Sequence, residues 1–505
     1  MREKESTSAV SLQSMFSLEG LVWIVSICYI VFYLYVAFQR IVYPYDLDFI
    51  EDNILTQAVR VSLGQPVYLP LNADFVPQVY TPLYPWLGGE IFKITGPSFL
   101  PLRLLSFSAT IVTAILIFWV SRRISDQPSI SLFAVGLFLA GYHTTGGWYE
   151  LARVDALYVM LTLLGAMLAI YGMDSRFQLA LSGATLALAF LTKQNGLFFA
   201  FVVGLYLLLK RKQVWSFALS FLLISVIPVI WLNEASHGWF SFYAIKIAYI
   251  GPIDLKRVTA TFENDLFGSM IGLTIPFLFV VASLFWHGRW KSLLAEPWNW
   301  CIAAALFISI AGRASVGGNR NNLMPAYTLL CLAPALAARE TSLWRDRWQV
   351  GTRSVLLVLI VIQFVLTSFV PKYPANFVPT QSMKNAGDQL IHDIADVPGP
   401  VLVLMHPYYA LLAGKEPGVD FQMLWLARWK GEEPLPDDLV MRIENHYYSE
   451  IISDGTSPFE SDPTLVSLLQ RYYILHRAIP SSESPYTLTG VIVRPKQIYV
   501  PKRGS

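Results

Sequence analysis

Long apolar runs separated by short basic loops fill most of this sequence, and they leave lipid as the solvent in which it can fold. The runs lie near 21–38, 99–120, 130–148, 154–173, 178–192, 195–209, 214–232, 267–286, 299–311, 323–338 and 354–370. A helix crosses the hydrocarbon layer with about 20 apolar residues, so the pattern predicts about eleven transmembrane spans. Composition agrees: 54% of the 505 residues are hydrophobic and 14% are charged, against about 25% charged in soluble domains. Mean hydropathy is +0.48. Cys28, Cys301 and Cys331 all fall inside apolar runs, where they act as small hydrophobes rather than a disulfide framework. No Cys/His pattern has zinc spacing, the net charge of +2 is uninformative, and no nucleic-acid partner is expected. Arg2 and Lys4 precede the first run, but no small-x-small cleavage site follows it, so 21–38 is expected to remain as a membrane helix.

Basic residues in short loops set the orientation. Arg122-Arg123, Arg176, Lys210-Arg211-Lys212, Arg289 with Lys291, and the stretch 339–353 fall on the side of the N-terminus, which is therefore cytoplasmic. The outer side receives the loops 39–98, 149–153, 233–266 and 312–322, the turn near Lys193, and everything after 371. The chain thus reads as a polytopic α-helical protein of the cell (inner or plasma) membrane: a transmembrane domain over 1–370 and a small extracytoplasmic α/β domain over 371–505. Within the latter, 384–395 and 463–472 read as helices, and 400–405 and 473–475 as strands. The turn 191–196 leaves few residues between two short apolar runs, so it is expected to border a cavity.

Chemistry-bearing residues cluster in the outer loops. Asp46, Asp48, Glu51 and Asp52 follow the first span. If a helix runs from Phe49 to Leu63, Asp48 is its N-cap and Glu51 completes a capping arrangement. One cap does not require all four acids, and carboxylates near a low-dielectric boundary have raised pKa values suited to general-base work. Glu150, Arg153 and Asp155 stand at the mouth of the fourth run, where ionisable groups are functional candidates by default. Tyr80, Tyr84, Trp148 and Tyr149 serve either as interfacial anchors or as the lining of a substrate groove. Arg103, Arg153, Lys193, Arg313 and Arg320 run against the orientation rule, and a lipid phosphate at headgroup level would explain them together. His406, in His-Pro-Tyr-Tyr409 after a strand, fits a structural role more readily than acceptor binding.

In order along the chain stand an acidic first loop, Gly64-Gln-Pro-Val-Tyr68, Tyr80-Thr-Pro-Leu-Tyr-Pro85, Trp148-Tyr-Glu-Leu-Ala-Arg-Val-Asp155, Leu191-Thr-Lys-Gln-Asn-Gly196, and Arg320 before Met324-Pro-Ala-Tyr327. Over roughly 20–340 this resembles the GT-C glycosyltransferases, in the branch of the protein O-mannosyltransferases and the lipid A aminoarabinose transferase. The resemblance implies a polyprenyl-phosphate-sugar donor and an extracytoplasmic glycan, lipid or protein acceptor. It implies a first-loop base, Asp48 or Glu51, which the sequence does not separate. It also implies a second-loop acid, Asp155, and phosphate contacts from Lys193 and Arg320, with Arg153, Arg103 and Arg313 as further contacts. A divalent metal held by Asp46, Asp48 and Glu51 is left open; no other cofactor is expected. The rival readings are a transporter or flippase of lipid-linked sugars, and a noncatalytic protein that binds envelope polymers.

Overall fold

The computed structural model describes residues 18–248, 253–315, 317–342, 346–368, 375–455, 460 and 462–502. Arg2, Lys4 and Arg345 lie outside the described residues, as do the side chains of Arg347 and Arg353. The chain forms two compact units. One is built from Met1–Tyr35, Ile111–Thr145 and Asp254–Tyr373, the other from Val36–Thr110, Gly146–Ile253 and Pro374–Ser505.

Among the described residues, four helices are long and apolar enough to cross a membrane: Leu18–Ile41, Phe99–Ser125, Val154–Tyr171 and Val214–Ala235. The pair Leu255–Ser269 and Ile271–Trp286, bent by 96°, makes a fifth if it counts as one span. The expectation of about eleven full spans is therefore not met among the described residues. The run from 354 lies in the 23-residue helix Asp346–Ser368, but three other apolar runs fold as shorter helices, namely Pro128–Ala140, Arg176–Thr192 and Gly196–Leu209. At about 1.5 Å of rise per residue such helices fall short of the ~30 Å hydrocarbon core. The run 323–338 breaks into Met324–Leu330 and Ala333–Thr341, each opening on a proline, Pro325 and Pro334. Proline has no N–H to continue the preceding helix but suits a first turn, so each one starts a new helix. Lys193-Gln194-Asn195 breaks the chain between Arg176–Thr192 and Gly196–Leu209.

Helix surfaces carry the argument for lipid. Along Val214–Ala235, Trp215 is 83% exposed and Trp231 66%, with Leu219, Leu222, Leu223, Ile227 and Ile230 also exposed. A continuous apolar face of this kind is stable only against hydrocarbon or a partner. Small residues and single polar bonds fasten helices inside each unit, as expected where helices gain no hydrophobic drive from meeting. In the first unit the bend at Met270 is fastened by Gln363, which accepts from Gly272 N–H at 3.0 Å and donates to the Ser269 carbonyl at 2.7 Å. In the second, Ser182 donates to the Gly165 carbonyl at 2.7 Å, and Gly165 lies flat against Leu186.

The second unit also holds the sheet: β1 (Val401–Val403), β2 (Glu450–Ser453), β3 (Tyr473–Ala478) and β4 (Gln497–Pro501), in the order β1-β2-β4-β3. β1 and β2 pair in parallel with Val401 opposite Glu450, and the remaining pairs are antiparallel. Helices occupy Gln381–Asp396, capped by Thr380, and Pro463–Tyr472, capped by Asp462. This C-terminal segment packs on the first-loop segment within one unit. Val419 N–H donates to the Ala73 carbonyl at 3.0 Å, Asp438 accepts from Ala73 N–H at 2.9 Å, and Arg442 pairs with Asp74 at 2.6 Å.

Candidate active site

The groups around Glu51 and Asp48 all belong to the second unit. The first loop leaves the helix Leu18–Ile41 at Arg40 and enters the helix Glu51–Ser62. Asp48 does not cap that helix: the N-cap position is Ile50, without a side-chain capping bond. Glu51 opens the helix and reaches back to Leu47 N–H at 2.7 Å, which frees Asp48 for other partners.

Glu51 and Arg103 form a buried ion pair at 2.7 Å, both fully covered. The Arg103 guanidinium spends its N–H groups on both Glu51 oxygens and on the carbonyls of Arg40, Tyr43 and Tyr45. Arginine has five such donors, and all are used, so Arg103 offers none to a donor phosphate. Glu51 is equally saturated, since Oε1 also accepts Ala152 N–H at 2.7 Å. The pair fastens the first loop to the helix Phe99–Ser125 and the second loop.

Asp48 is surrounded differently. Its Oδ1 accepts from Arg153 Nη1 at 2.7 Å and Ile50 N–H at 3.1 Å, and its Oδ2 from Trp148 Nε1 at 3.0 Å. Burial raises its pKa above the ordinary carboxylate value, against the pull of the Arg153 charge. Arg153 continues to Asp155 at 3.3 Å and to the Tyr80 hydroxyl at 3.0 Å, and Lys193 closes on Asp155 at 2.7 Å. Asp48, Arg153, Asp155 and Lys193 thus alternate in charge along one buried chain, and Tyr80 lies beside both cations, its ring 5.8 Å from Lys193 Nζ. Local structure places each member. Arg153 is the N-cap residue of Val154–Tyr171, Asp155 stands in that helix's first turn, and Lys193 is the C-cap of Arg176–Thr192.

Tyr84 and Tyr149, expected as possible groove residues, are both wholly buried, as is Trp148. The Tyr84 hydroxyl donates to the Leu102 carbonyl at 2.8 Å, and the Tyr149 carbonyl accepts from Thr110 at 2.7 Å. Arg313 and Arg320 belong to the first unit, where Arg313 pairs with Asp265 at 3.1 Å and Arg320, itself exposed, begins a 3-10 turn whose Asn321 and Leu323 are buried. The sequence reading of Glu150 as functional meets a buried ion pair with Arg40 at 2.5 Å. Asp46 turns toward His406 and Tyr409, so Asp46, Asp48 and Glu51 do not converge as a ligand set. No group of three or more His, Cys, Asp or Glu side chains able to hold a metal occurs among the described residues.

Sequence reasoning missed two contributors. Gln194 donates to the Val79 and Ala244 carbonyls, fixing the turn that carries Lys193. Residues 488–490 run beside the first loop: Leu488 and Thr489 N–H both donate to the Leu47 carbonyl, and a Cβ at Gly490 would stand 2.7 Å from Asp48 Oδ2. The only local signal for that segment was a glycine, here at φ +73°.

Residues 79–232, which include the Asp155 and Lys193 motifs, match the family described as dolichyl-phosphate-mannose-protein mannosyltransferase. No curated protein matches the chain by sequence. Among solved structures, the chain resembles ArnT from Cupriavidus metallidurans in its apo state, with a TM-score of 0.61 at 11% identity over 95% of this chain and 98% of the other. The same protein bound to undecaprenyl phosphate gives a TM-score of 0.60 at 11% identity over the same shares of the two chains. The oligosaccharyltransferase AglB from Archaeoglobus fulgidus, in complex with an inhibitory peptide and a dolichol-phosphate, gives a TM-score of 0.52 at 10% identity over 98% and 77%.

Proposed function

With the GT-C fold as premise, we propose that this protein is a membrane glycosyltransferase that moves a sugar from a polyprenyl-phosphate donor to an acceptor hydroxyl, with Asp48 as the general base. The lipid phosphates named in the ArnT and AglB complexes support that donor class. One observation carries the assignment of the base. Of the two candidate acids, Glu51 has both oxygens saturated by Arg103 and backbone N–H groups, whereas Asp48 Oδ2 carries a single bond, from Trp148. A carboxylate oxygen has two acceptor sites, so Asp48 keeps one for a proton from the acceptor.

The reaction is a direct displacement. The acceptor oxygen bonds to the anomeric carbon as the bond from that carbon to the phosphate oxygen breaks. The acceptor proton passes to Asp48, and the lipid phosphate leaves with the bonding pair as a stable anion. Lys193 and Arg153 supply positive charge where the leaving charge develops, and Asp155 holds the two cations in register. No protonated acid is needed at the leaving group, unlike in glycoside hydrolysis, and no step passes through a metal. Asp48 is fully buried, so the cover beside it, at Gly490, must yield for a hydroxyl to come within about 3 Å. The extracytoplasmic placement of the site belongs to the same proposal and rests on the basic-loop pattern.

The test is consumption of labelled polyprenyl-phosphate sugars by the purified protein in lipid, comparing the parent with Asp48→Asn. Turnover in the parent and its loss in the variant, with donor still bound, supports a transferase. Donor that binds the parent but is never consumed, across several sugars and acceptors, points to transport instead.

A further inference from the structure

The His406-Pro407-Tyr408-Tyr409 segment grips the acidic loop on both sides of Asp48. His406 Nδ1 stands 3.0 Å from Asp46 Oδ2, and its Nε2 faces Asp454 Oδ1 at 3.5 Å. The Tyr409 hydroxyl donates to Asp46 Oδ1 at 2.5 Å, and its ring stacks on the imidazole with centroids 4.8 Å apart. Beyond Asp48, the Tyr408 N–H donates to both oxygens of Asp52 at 3.1 Å. Asp46 and Asp52 are thereby tied to one short stretch of the C-terminal segment, and Asp48 lies on the loop between them. The imidazole is itself fully buried.

We propose that His406 is a positioning residue for the transfer reaction: its ion pairs with Asp46 and Asp454 hold the loop 46–52 in the one arrangement that presents Asp48. The inference rests on the reading of Asp48 as the base. Its physical logic is the cost of a buried charge. Two acids on opposite ring nitrogens favour the charged imidazolium: Nδ1 hydrogen-bonds Asp46, Nε2 faces Asp454 at 3.5 Å as an ion pair without a hydrogen bond, and a neutral ring would offer no charge to either carboxylate. Burial alone would lower the His406 pKa, but the facing charges of Asp46 and Asp454 raise it well above the ordinary value. The titratable groups around it are Asp46 on the first loop, Tyr409 on the helix Pro407–Leu412 that follows His406, Asp52 on the helix Glu51–Ser62, Asp420 at the cap of Phe421–Gly431, and Asp454 after β2. As His406 loses its proton the grip becomes net negative and repels the loop.

Two readouts on the full-length protein in lipid decide the matter, using His406→Gln, which keeps one hydrogen bond but no charge. The first is steady-state transfer from a labelled polyprenyl-phosphate sugar. Misplacing a reacting group by about 1 Å costs up to ~100-fold, so kcat should fall at least tenfold, while KM for the donor, whose contacts lie at Lys193, should change less than twofold. The second is the thermal midpoint across pH without substrate. A raised folded-state pKa means that the stability His406 contributes is complete below about 6.5 and is lost as pH rises through the folded value. The parent should lose this part above neutrality, and His406→Gln should not. If His406→Gln fails to fold, Tyr409→Phe, which removes one bond to Asp46 and keeps the ring, should show the same kcat loss in weaker form. A folded His406→Gln with parental kcat overturns the proposal, and so does a thermal pH profile that matches the parent's. If the parent consumes no donor, the transferase reading fails by itself, and the thermal profile still decides whether His406 acts as a charged clasp.

Discussion

Replacing Glu51 by glutamine should damage the fold, whereas replacing Asp48 by asparagine should damage the reaction. Glu51 accepts from Arg103 Nε at 2.8 Å and Ala152 N–H at 2.7 Å on one oxygen, and from Arg103 Nη2 and Leu47 N–H, both at 2.7 Å, on the other. Glutamine keeps one accepting oxygen and turns an NH2 toward the other two donors. Each buried donor left without an acceptor costs about 1–3 kcal/mol. Removing one partner of a buried ion pair costs about 3–5 kcal/mol. These two figures describe the same loss and do not add, so about 4 kcal/mol is expected, close to a thousandfold in the folded-to-unfolded ratio. Asp48→Asn is milder, because Arg153 keeps Asp155 and the Asn oxygen can still accept from Arg153; its stability cost should stay near the lower end, about 1 kcal/mol. Its turnover, in contrast, should fall by about 100- to 10,000-fold, the usual worth of a general base. Thermal unfolding followed by tryptophan fluorescence in lipid nanodiscs, alongside donor consumption, separates the two effects. A Glu51→Gln protein as stable as the parent but inactive, paired with an active Asp48→Asn, would refute the assignment and make Glu51 the base.

Lys193→Met should raise KM for the donor by roughly 10- to 100-fold, the equivalent of one charge-assisted contact, with a smaller effect on thermal stability; an unchanged KM would remove Lys193 from the phosphate site. Gly490→Ala should lower both stability and turnover, since the backbone there has φ +73° and the new Cβ would stand 2.7 Å from Asp48 Oδ2; normal turnover in that variant would show that the cover over Asp48 is loose. Asp420 and Glu460 are each pushed up to about 7, chiefly by burial. Their folded-state values exceed the unfolded ones, so their contribution is complete below the ordinary carboxylate range and is lost as pH rises to about 7. Asp420→Asn should therefore flatten part of the stability decline between pH ~4 and 7, and a parental slope would contradict this. Turnover should survive a strong chelator, and loss of activity restored by a divalent cation would reinstate a metal.

The membrane character, the acidic first loop, the Arg153-Val154-Asp155 motif and the Lys193 turn were legible because each depends on local pattern: hydrophobic run length, charge in short loops, and residue order at helix ends. Helix length was less legible. Hydropathy sums over apolar residues whether or not the backbone is continuous, so the prolines at 325 and 334 and the 96° bend beside Met270 went uncounted as breaks. Arg103 shows a different limit. An arginine that runs against the basic-loop pattern looks the same in sequence whether it waits for a phosphate or is consumed by the protein, and only the converging carbonyls of Arg40, Tyr43 and Tyr45 decide.

What the sequence determined by itself is the solvent, the order of the loops and the set of charges available for chemistry, because these follow from composition and from spacing along one chain. What the tertiary structure decided is which charges face which. Glu51 found Arg103, Asp48 found Arg153, and Asp46 found His406 some 360 positions away. A buried carboxylate takes its role from the donors that surround it, and those donors come from parts of the chain that no local pattern connects.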